Sequence, residues 1–153
     1  MKAATWLRLL AAIMLFFTVG HTIGVLNPPA DGVAGQALDA MRRARFPIMG
    51  FERSYWDFYR GFGFFVSLEF LLFAVIAYQL SMMSRRRSAR AALPLMVTLE
   101  IGCTVTALLS WIYFFTAPMV TSLAAVVCST AALAALARDA RLEAEWDADC
   151  PVA

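Results

Sequence analysis

The stretch AALPLMVTLEIGCTVTALLSWIYFFTAPMVTSLAAVVCSTAALAALA, residues 91–137, runs from Arg90 to Arg138 with Glu100 as its sole charged side chain. These 47 residues are more than one helix needs to cross a bilayer, since ~30 Å of hydrocarbon takes ~20 residues at 1.5 Å each. The run therefore predicts two membrane spans, divided at Thr116-Ala117-Pro118. Lipid offers backbone N–H and C=O groups no water, so the spans must be helices or a closed barrel, and no ten-residue alternating pattern suggests a barrel.

Working outward, two further charge-poor stretches appear. Between Arg8 and Asp31 lie 22 residues without Asp, Glu, Lys or Arg, and between Arg60 and Arg85 lie 24 interrupted only by Glu69. The sequence thus predicts an all-α integral membrane protein, a four-helix transmembrane bundle over residues 1–138 with spans at about 6–26, 58–82, 93–115 and 118–138. Residues 139–153, with Asp139, Glu143, Glu145, Asp147 and Asp149, read as an acidic, solvated cytoplasmic tail. Composition agrees: 61% of the 153 residues are hydrophobic and 16% charged, against about 45–50% and 25% in soluble domains. A net charge of +2 is too small for a nucleic-acid footprint. Lys2 and Arg8 before an apolar run also fit a signal peptide. That run is long for one, and no clear cleavage site precedes Asn27-Pro28-Pro29, so it is read as a helix.

Orientation follows from the cations. With both termini in the cytoplasm, Lys2, Arg8, Arg85, Arg86, Arg87, Arg90, Arg138 and Arg141 lie inside, and Arg42, Arg43, Arg45, Arg53 and Arg60 outside. The short turn from Ser84 to Arg90 is the cleanest cytoplasmic marker, and its arginines suit anionic headgroups.

The first outer loop carries its own helix signal. Val33, Ala34, Ala37, Leu38, Ala40, Met41 and Ala44 share one arc of a helical wheel, and Gln36, Asp39, Arg42 and Arg43 the other. Asp31 is placed to cap a short amphipathic helix and Phe46-Pro47 to stop it. Next, Tyr55, Trp56 and Tyr59 fit an aromatic belt, and Arg60 follows Asp57 by three residues, the spacing of a local ion pair.

Three ionisable groups lie deeper: His21, Glu69 and Glu100. Such groups are costly in hydrocarbon and mark candidate sites. At 1.5 Å per residue His21 lies ~8 Å below the outer edge, Glu69 ~16 Å below it and Glu100 ~10 Å above the inner edge, so the two carboxyls fall at similar depth. Glu100, Cys103, Thr104, Ala107 and Trp111 form a stripe at 3–4 spacing expected to face protein. Thr18, His21 and Gly24 share a face of the first span, Gly20 with Gly24 makes a small-residue approach surface, and Ser122, Ala125, Ser129 and Ala132 make another. Glu69 is nine residues from Arg60, about 180° around the helix, with Phe62, Phe65, Phe73 and Ile76 as neighbours. The candidate ligand-binding residues are His21, Arg60, Glu69, Glu100 and Trp111, and the candidate catalytic ones Glu69, Glu100 and His21.

Other chemistries are set aside. Cys103, Cys128 and Cys150 form no Cys-x-x-Cys, one histidine cannot supply both axial ligands of a haem, and neither a phosphate loop nor a Gly-x-Ser-x-Gly elbow occurs. No metal site is expected, and the sequence names no cofactor.

His21-Thr22-Ile23-Gly24, followed by residues 53–63 (RSYWDFYRGFG), resembles a family of small, uncharacterised bacterial four-helix membrane proteins. In size and helix plan the chain is similar, more loosely, to the DoxX-like superfamily. The resemblance implies a four-helix bundle in a bacterial inner membrane and no particular reaction. The expected function is binding of a lipid, quinone or partner membrane protein, with membrane lipids, another membrane protein or a second copy as partners. The alternative is an intramembrane acid–base enzyme, of isomerase or hydrolase type, acting on a lipid-like substrate through Glu69, Glu100 and His21.

Overall fold

A computed structural model describes residues 2–84 and 89–149. Arg85, Arg86, Arg87 and Cys150, which carried part of the orientation and cysteine readings, lie outside the described residues. The elements are α1 (Ala3–Leu26), α2 (Gly32–Arg43), β1 (Arg45–Ile48), β2 (Phe51–Ser54), α3 (Tyr55–Met83), α4 (Ala89–Tyr113) and α5 (Thr116–Asp149). Helices α1, α3, α4 and α5 are long and apolar enough to cross a membrane, so the chain is a multi-pass membrane protein of the all-α class. It divides into two compact units, Met1–Leu15 with Leu72–Ala153, and Phe16–Leu71.

The first unit contains the start of α1, the end of α3, and all of α4 and α5. Its buried positions recur every three or four residues: Ala3, Leu7, Leu10 and Met14 on α1, and Ala89, Ala92, Met96, Leu99 and Cys103 on α4. That spacing is one stripe of a helix surface. On α5 the expected small-residue face is buried, with Ser122, Ala125, Ser129 and Ala132 all nearly inaccessible. Small side chains let α5 approach α4 closely along its length, the packing that drives association where lipid removes the hydrophobic incentive. The hydroxyls of Ser122 and Ser129 donate to the carbonyls of Met119 and Val126 on their own helix, so burial leaves neither donor unsatisfied. Gly102 of α4 admits the ring of Phe73, which would stand 2.7 Å from an added Cβ.

Helix boundaries follow from local chemistry. Pro28-Pro29 ends α1, whose last turn is closed by the amide and side chain of Asn27, both donating to the carbonyl of Ile23. Helix α5 begins at Thr116, so Pro118 falls in a first turn that needs no donor there. The acidic tail continues α5 as helix to Asp149 with most of residues 141–148 exposed, and Glu143 reaches back to the first turn of α4. Its carboxylate accepts from the amides of Ala89 at 3.1 Å and Arg90 at 3.3 Å, two of the four N–H groups a helix start leaves unpaired. Asp147 adds an exposed ion pair with Arg90 at 3.2 Å.

The second unit holds the end of α1, helix α2, a β-hairpin and the start of α3. Helix α2 forms where its amphipathic pattern places it, but its cap differs from the expectation. Asp31 stands at the N-cap without a side-chain bond, and its backbone carbonyl accepts from Gly35 instead. Phe46-Pro47 does not stop the helix either, for α2 ends at Arg43 and both residues belong to β1. The antiparallel strands pair Ile48 with Phe51 across a two-residue turn, Met49-Gly50, with φ of 49° and 85°. Positive φ at both central residues matches the right-handed twist of the strands. With Ile48 and Phe51 as the closing hydrogen-bonded pair, alternation puts Pro47 opposite Glu52 at a non-bonded position, where its missing N–H removes no ladder bond.

The hairpin hands the chain to α3 through a reciprocal cap. Ser54 N–H and its hydroxyl donate to Asp57 Oδ2 at 2.7 and 2.9 Å, and Asp57 N–H donates to Ser54 Oγ at 3.2 Å. This is a capping box with aspartate at its third position. It overturns the expected Asp57–Arg60 pair: Asp57 is held by Ser54, and the Arg60 guanidinium lies 5.6 Å over the ring of Phe64.

Candidate functional site

His21 and Ser67 are brought together by the facing stripes of α1 and α3 in the second unit. On α3 the buried positions Ser67 and Phe70 recur at helical spacing. Phe17, four residues before His21, stacks on Phe70 with centroids 4.4 Å apart, and His21 meets the same ring edge-on at 6.0 Å. These contacts fix the imidazole so that Nδ1 lies 3.0 Å from Ser67 Oγ. Ser67 Oγ also lies 3.2 Å from the carbonyl of Gly63 and 3.0 Å from Thr22 Oγ1, which in turn reaches the carbonyl of Thr18 at 2.7 Å.

Each hydroxyl has one proton and so donates to one of its neighbours at a time, and two of the possible arrangements show the range. In one, Thr22 donates to Ser67 and Ser67 donates to His21 Nδ1. In the other, His21 Nδ1–H donates to Ser67, Ser67 to Gly63 and Thr22 to Thr18. Either way the network ties α1 to α3 through hydroxyls, and among the described residues no salt bridge reaches His21. Sequence reasoning named His21 and Thr18, quoted Thr22 only within its motif, and passed over Ser67. The available signal was a lone serine in the greasy stretch from Phe58 to Ile76.

Close approach at this crossing comes from Gly63, not from the expected Gly20 and Gly24. An added Cβ at Gly63 would stand 2.7 Å from the Val25 side chain, whereas nothing lies within 4 Å of one at Gly20 or Gly24. Glu69, two residues beyond Ser67, is about 200° around α3, so the face that meets His21 is not the face that carries Glu69. The Glu69 side chain is exposed.

Glu100 belongs to the first unit. Its Oε1 accepts from Thr130 Oγ1 of α5 at 2.7 Å, while Oε2 is buried with no hydrogen-bond partner among the described residues. One turn along α4, the buried Cys103 thiol sits among Ser129, Cys128 and Glu100. The expected protein-facing stripe is corrected at its ends: Cys103 is buried, but Thr104 is exposed and Trp111 is 70% exposed. The buried row runs instead through Leu99, Cys103 and Ser110, which sets Trp111 on the outer surface. Among the described residues no group of three or more His, Cys, Asp or Glu is placed to hold a metal ion.

At the start of α3 a groove of about 250 Å³ is lined by Arg53, Asp57, Phe58, Gly61, Phe62 and Phe65. Its charged end is held by the capping box, and its apolar end descends the exposed rings of Phe62 and Phe65. Gly61 keeps it open, with nothing within 4 Å of where its Cβ would be. Around it, Phe46 packs on Tyr55 and Phe58, Trp56 stacks on Tyr59, and the Arg42 guanidinium lies 5.0 Å over Trp56. Comparison with protein-family models, curated proteins and solved structures finds no match to the chain.

Proposed function

We propose that this multi-pass protein resides in a bacterial inner membrane with both termini in the cytoplasm, and that it binds a lipid-like amphiphile. The observation that carries this reading is the groove from Arg53 to Phe65. A guanidinium and a carboxylate at one end, and exposed phenylalanine rings along the other, match a molecule with a hydrogen-bonding head and an apolar tail, such as a phospholipid or a quinone. Tyr55, Trp56 and Tyr59 beside the charged end are residues of the headgroup level. The likeness of residues 21–24 and 53–63 to small bacterial four-helix membrane proteins supports the membrane assignment. The hydroxyl partners of His21 and Glu100 support a role for both in helix packing.

The test is native mass spectrometry of the protein released from lipid nanodiscs, wild type beside Gly61→Leu. A Cβ at position 61 meets nothing within 4 Å, so the branched side chain beyond it takes up groove space instead of displacing backbone. An amphiphile-mass adduct in the wild type that is lost in the variant is the expected result. A bare wild-type protein overturns the reading.

One observation favours the acid–base alternative, the buried and unpartnered Oε2 of Glu100. A carboxyl oxygen with no protein partner among the described residues is the kind of group a general acid or base uses. Under this reading, lipid extracts from membranes containing wild-type protein and Glu100→Gln differ in an isomer or hydrolysis product. Identical extracts exclude it.

A further inference from the structure

The first unit carries a cavity of about 420 Å³ that none of the candidate residues above lines. Its walls are Lys2, Thr5 and Arg8 from the beginning of the chain, Ser84 just beyond α3, and Arg138 with Asp139 on α5. Ala3, fully buried, belongs to the α1 face that packs inward.

The charges of this lining do not balance. Lys2, Arg8 and Arg138 face it with Asp139 as the one acid, a formal excess of two positive charges. Asp139 Oδ1 lies 3.4 Å from Arg138, its sequence neighbour. Neither Lys2 nor Arg8 has a carboxylate within ion-pair distance among the described residues. Three cations around one concavity, exposed though they are, give it a positive potential that favours an anion over a neutral occupant. The hydroxyls of Thr5 and Ser84 add donors to the same walls.

The shape and donors select the anion. At ~30 Å³ per water the space equals roughly a dozen waters, enough for a phosphate with an organic substituent and too little for a folded peptide. Two guanidinium groups favour an anion with several acceptor oxygens, because each can bind two at once. The lining lies at the ends of the apolar segments of α1 and α3, the level at which lipid phosphates occur. We propose that this cavity binds a phosphate monoester or diester, held by Lys2, Arg8 and Arg138. The site is separate from the groove at the start of α3 and stands whichever way the chain crosses the membrane.

Lipid headgroups and soluble phosphate compounds share this chemistry, and one experiment separates them. Wild type, an Arg8→Gln/Arg138→Gln double variant and Asp139→Asn are reconstituted in nanodiscs of phosphatidylcholine alone and of phosphatidylcholine with phosphatidylglycerol. Retained lipid is read by native mass spectrometry, and glycerol phosphate is titrated into the phosphatidylcholine discs. Stoichiometric retention of phosphatidylglycerol, weakened about a hundredfold in the double variant and strengthened in Asp139→Asn, assigns the site to a lipid headgroup, since each of the two guanidinium contacts carries about tenfold in affinity. Saturable glycerol phosphate binding with the same ordering, and no preference among lipids, assigns it to a soluble phosphate compound. Should the double variant fail to fold, Asp139→Asn decides alone, for removal of the competing carboxylate must tighten binding. Absence of both kinds of binding in wild type, or affinities unmoved by the substitutions, overturns the proposal.

Discussion

His21 Nδ1 lies 3.0 Å from the hydroxyl of Ser67, a residue that Thr22 Oγ1 approaches to the same distance. A single serine oxygen on α3 thus receives two polar side chains of α1. Ser67→Ala removes both contacts at once. A double-mutant cycle with His21→Ala should give a favourable coupling of about 0.6 kcal/mol, rising to no more than ~2 kcal/mol, the range of interhelical hydrogen bonds in lipid. Reversible unfolding in mixed micelles measures it, and zero coupling excludes the bond as a contributor.

Ser54 begins α3 through its exchange with Asp57. Ser54→Ala should cost about 1 kcal/mol of local stability and speed amide exchange at residues 55–57. Asp57→Asn keeps an acceptor and should perturb exchange less than Asp57→Ala. Equal exchange rates in all the variants would show that the hairpin alone fixes the start of α3.

Glycines give paired expectations. At Gly35 an added Cβ would clash with the backbone carbonyl of Ala30, whereas at Gly20 it meets nothing within 4 Å. Gly35→Ala should loosen the first turn of α2 in hydrogen exchange, because backbone cannot yield as a side chain does. Gly20→Ala should shift stability by no more than about 0.5 kcal/mol. A tolerated Gly35→Ala beside a damaging Gly20→Ala would contradict the packing described.

Met49 holds φ of 49° at the hairpin turn and is almost wholly exposed, so no packing compensates the conformation. Asparagine adopts that region more readily and precedes glycine in the favoured two-residue turn. Met49→Asn should slow amide exchange around Ile48 and Phe51, and Met49→Val should hasten it. The reverse order would mean that the side chain contributes through a contact outside this chain.

Glu143 receives the amides of Ala89 and Arg90. Glu143→Ala should raise exchange at those two amides selectively, while Asp147→Asn, which breaks only an exposed pair with Arg90, should leave stability nearly unchanged. If both variants behave alike, the tail does not cap α4.

Much of this molecule was legible from one dimension. The absence of charge over residues 9–30, and over 91–137 apart from Glu100, dictated membrane spans, because each charged group in hydrocarbon is costly and backbone there must be helical. The small residues Ser122, Ala125, Ser129 and Ala132 announced a buried face, because spacing on a helix is a property of sequence alone. The hairpin was not legible: four-residue strands are too short to display alternation, Pro47 argues against a strand, and Met-Gly lacks the asparagine that usually marks such a turn.

Partners across space belonged to the tertiary structure. Periodicity placed His21 on one face of α1, but only the crossing with α3 selected Ser67 as its neighbour. The same holds for Glu100, whose bond to Thr130 depends on how α5 lies against α4, and for Lys2, Arg8 and Arg138, which a cavity unites across more than a hundred residues of chain. Sequence determines which groups must avoid lipid and which helical face carries them. Which group answers which depends on the angle and offset at which the helices pack, and those are set jointly by every small and large side chain along the contact.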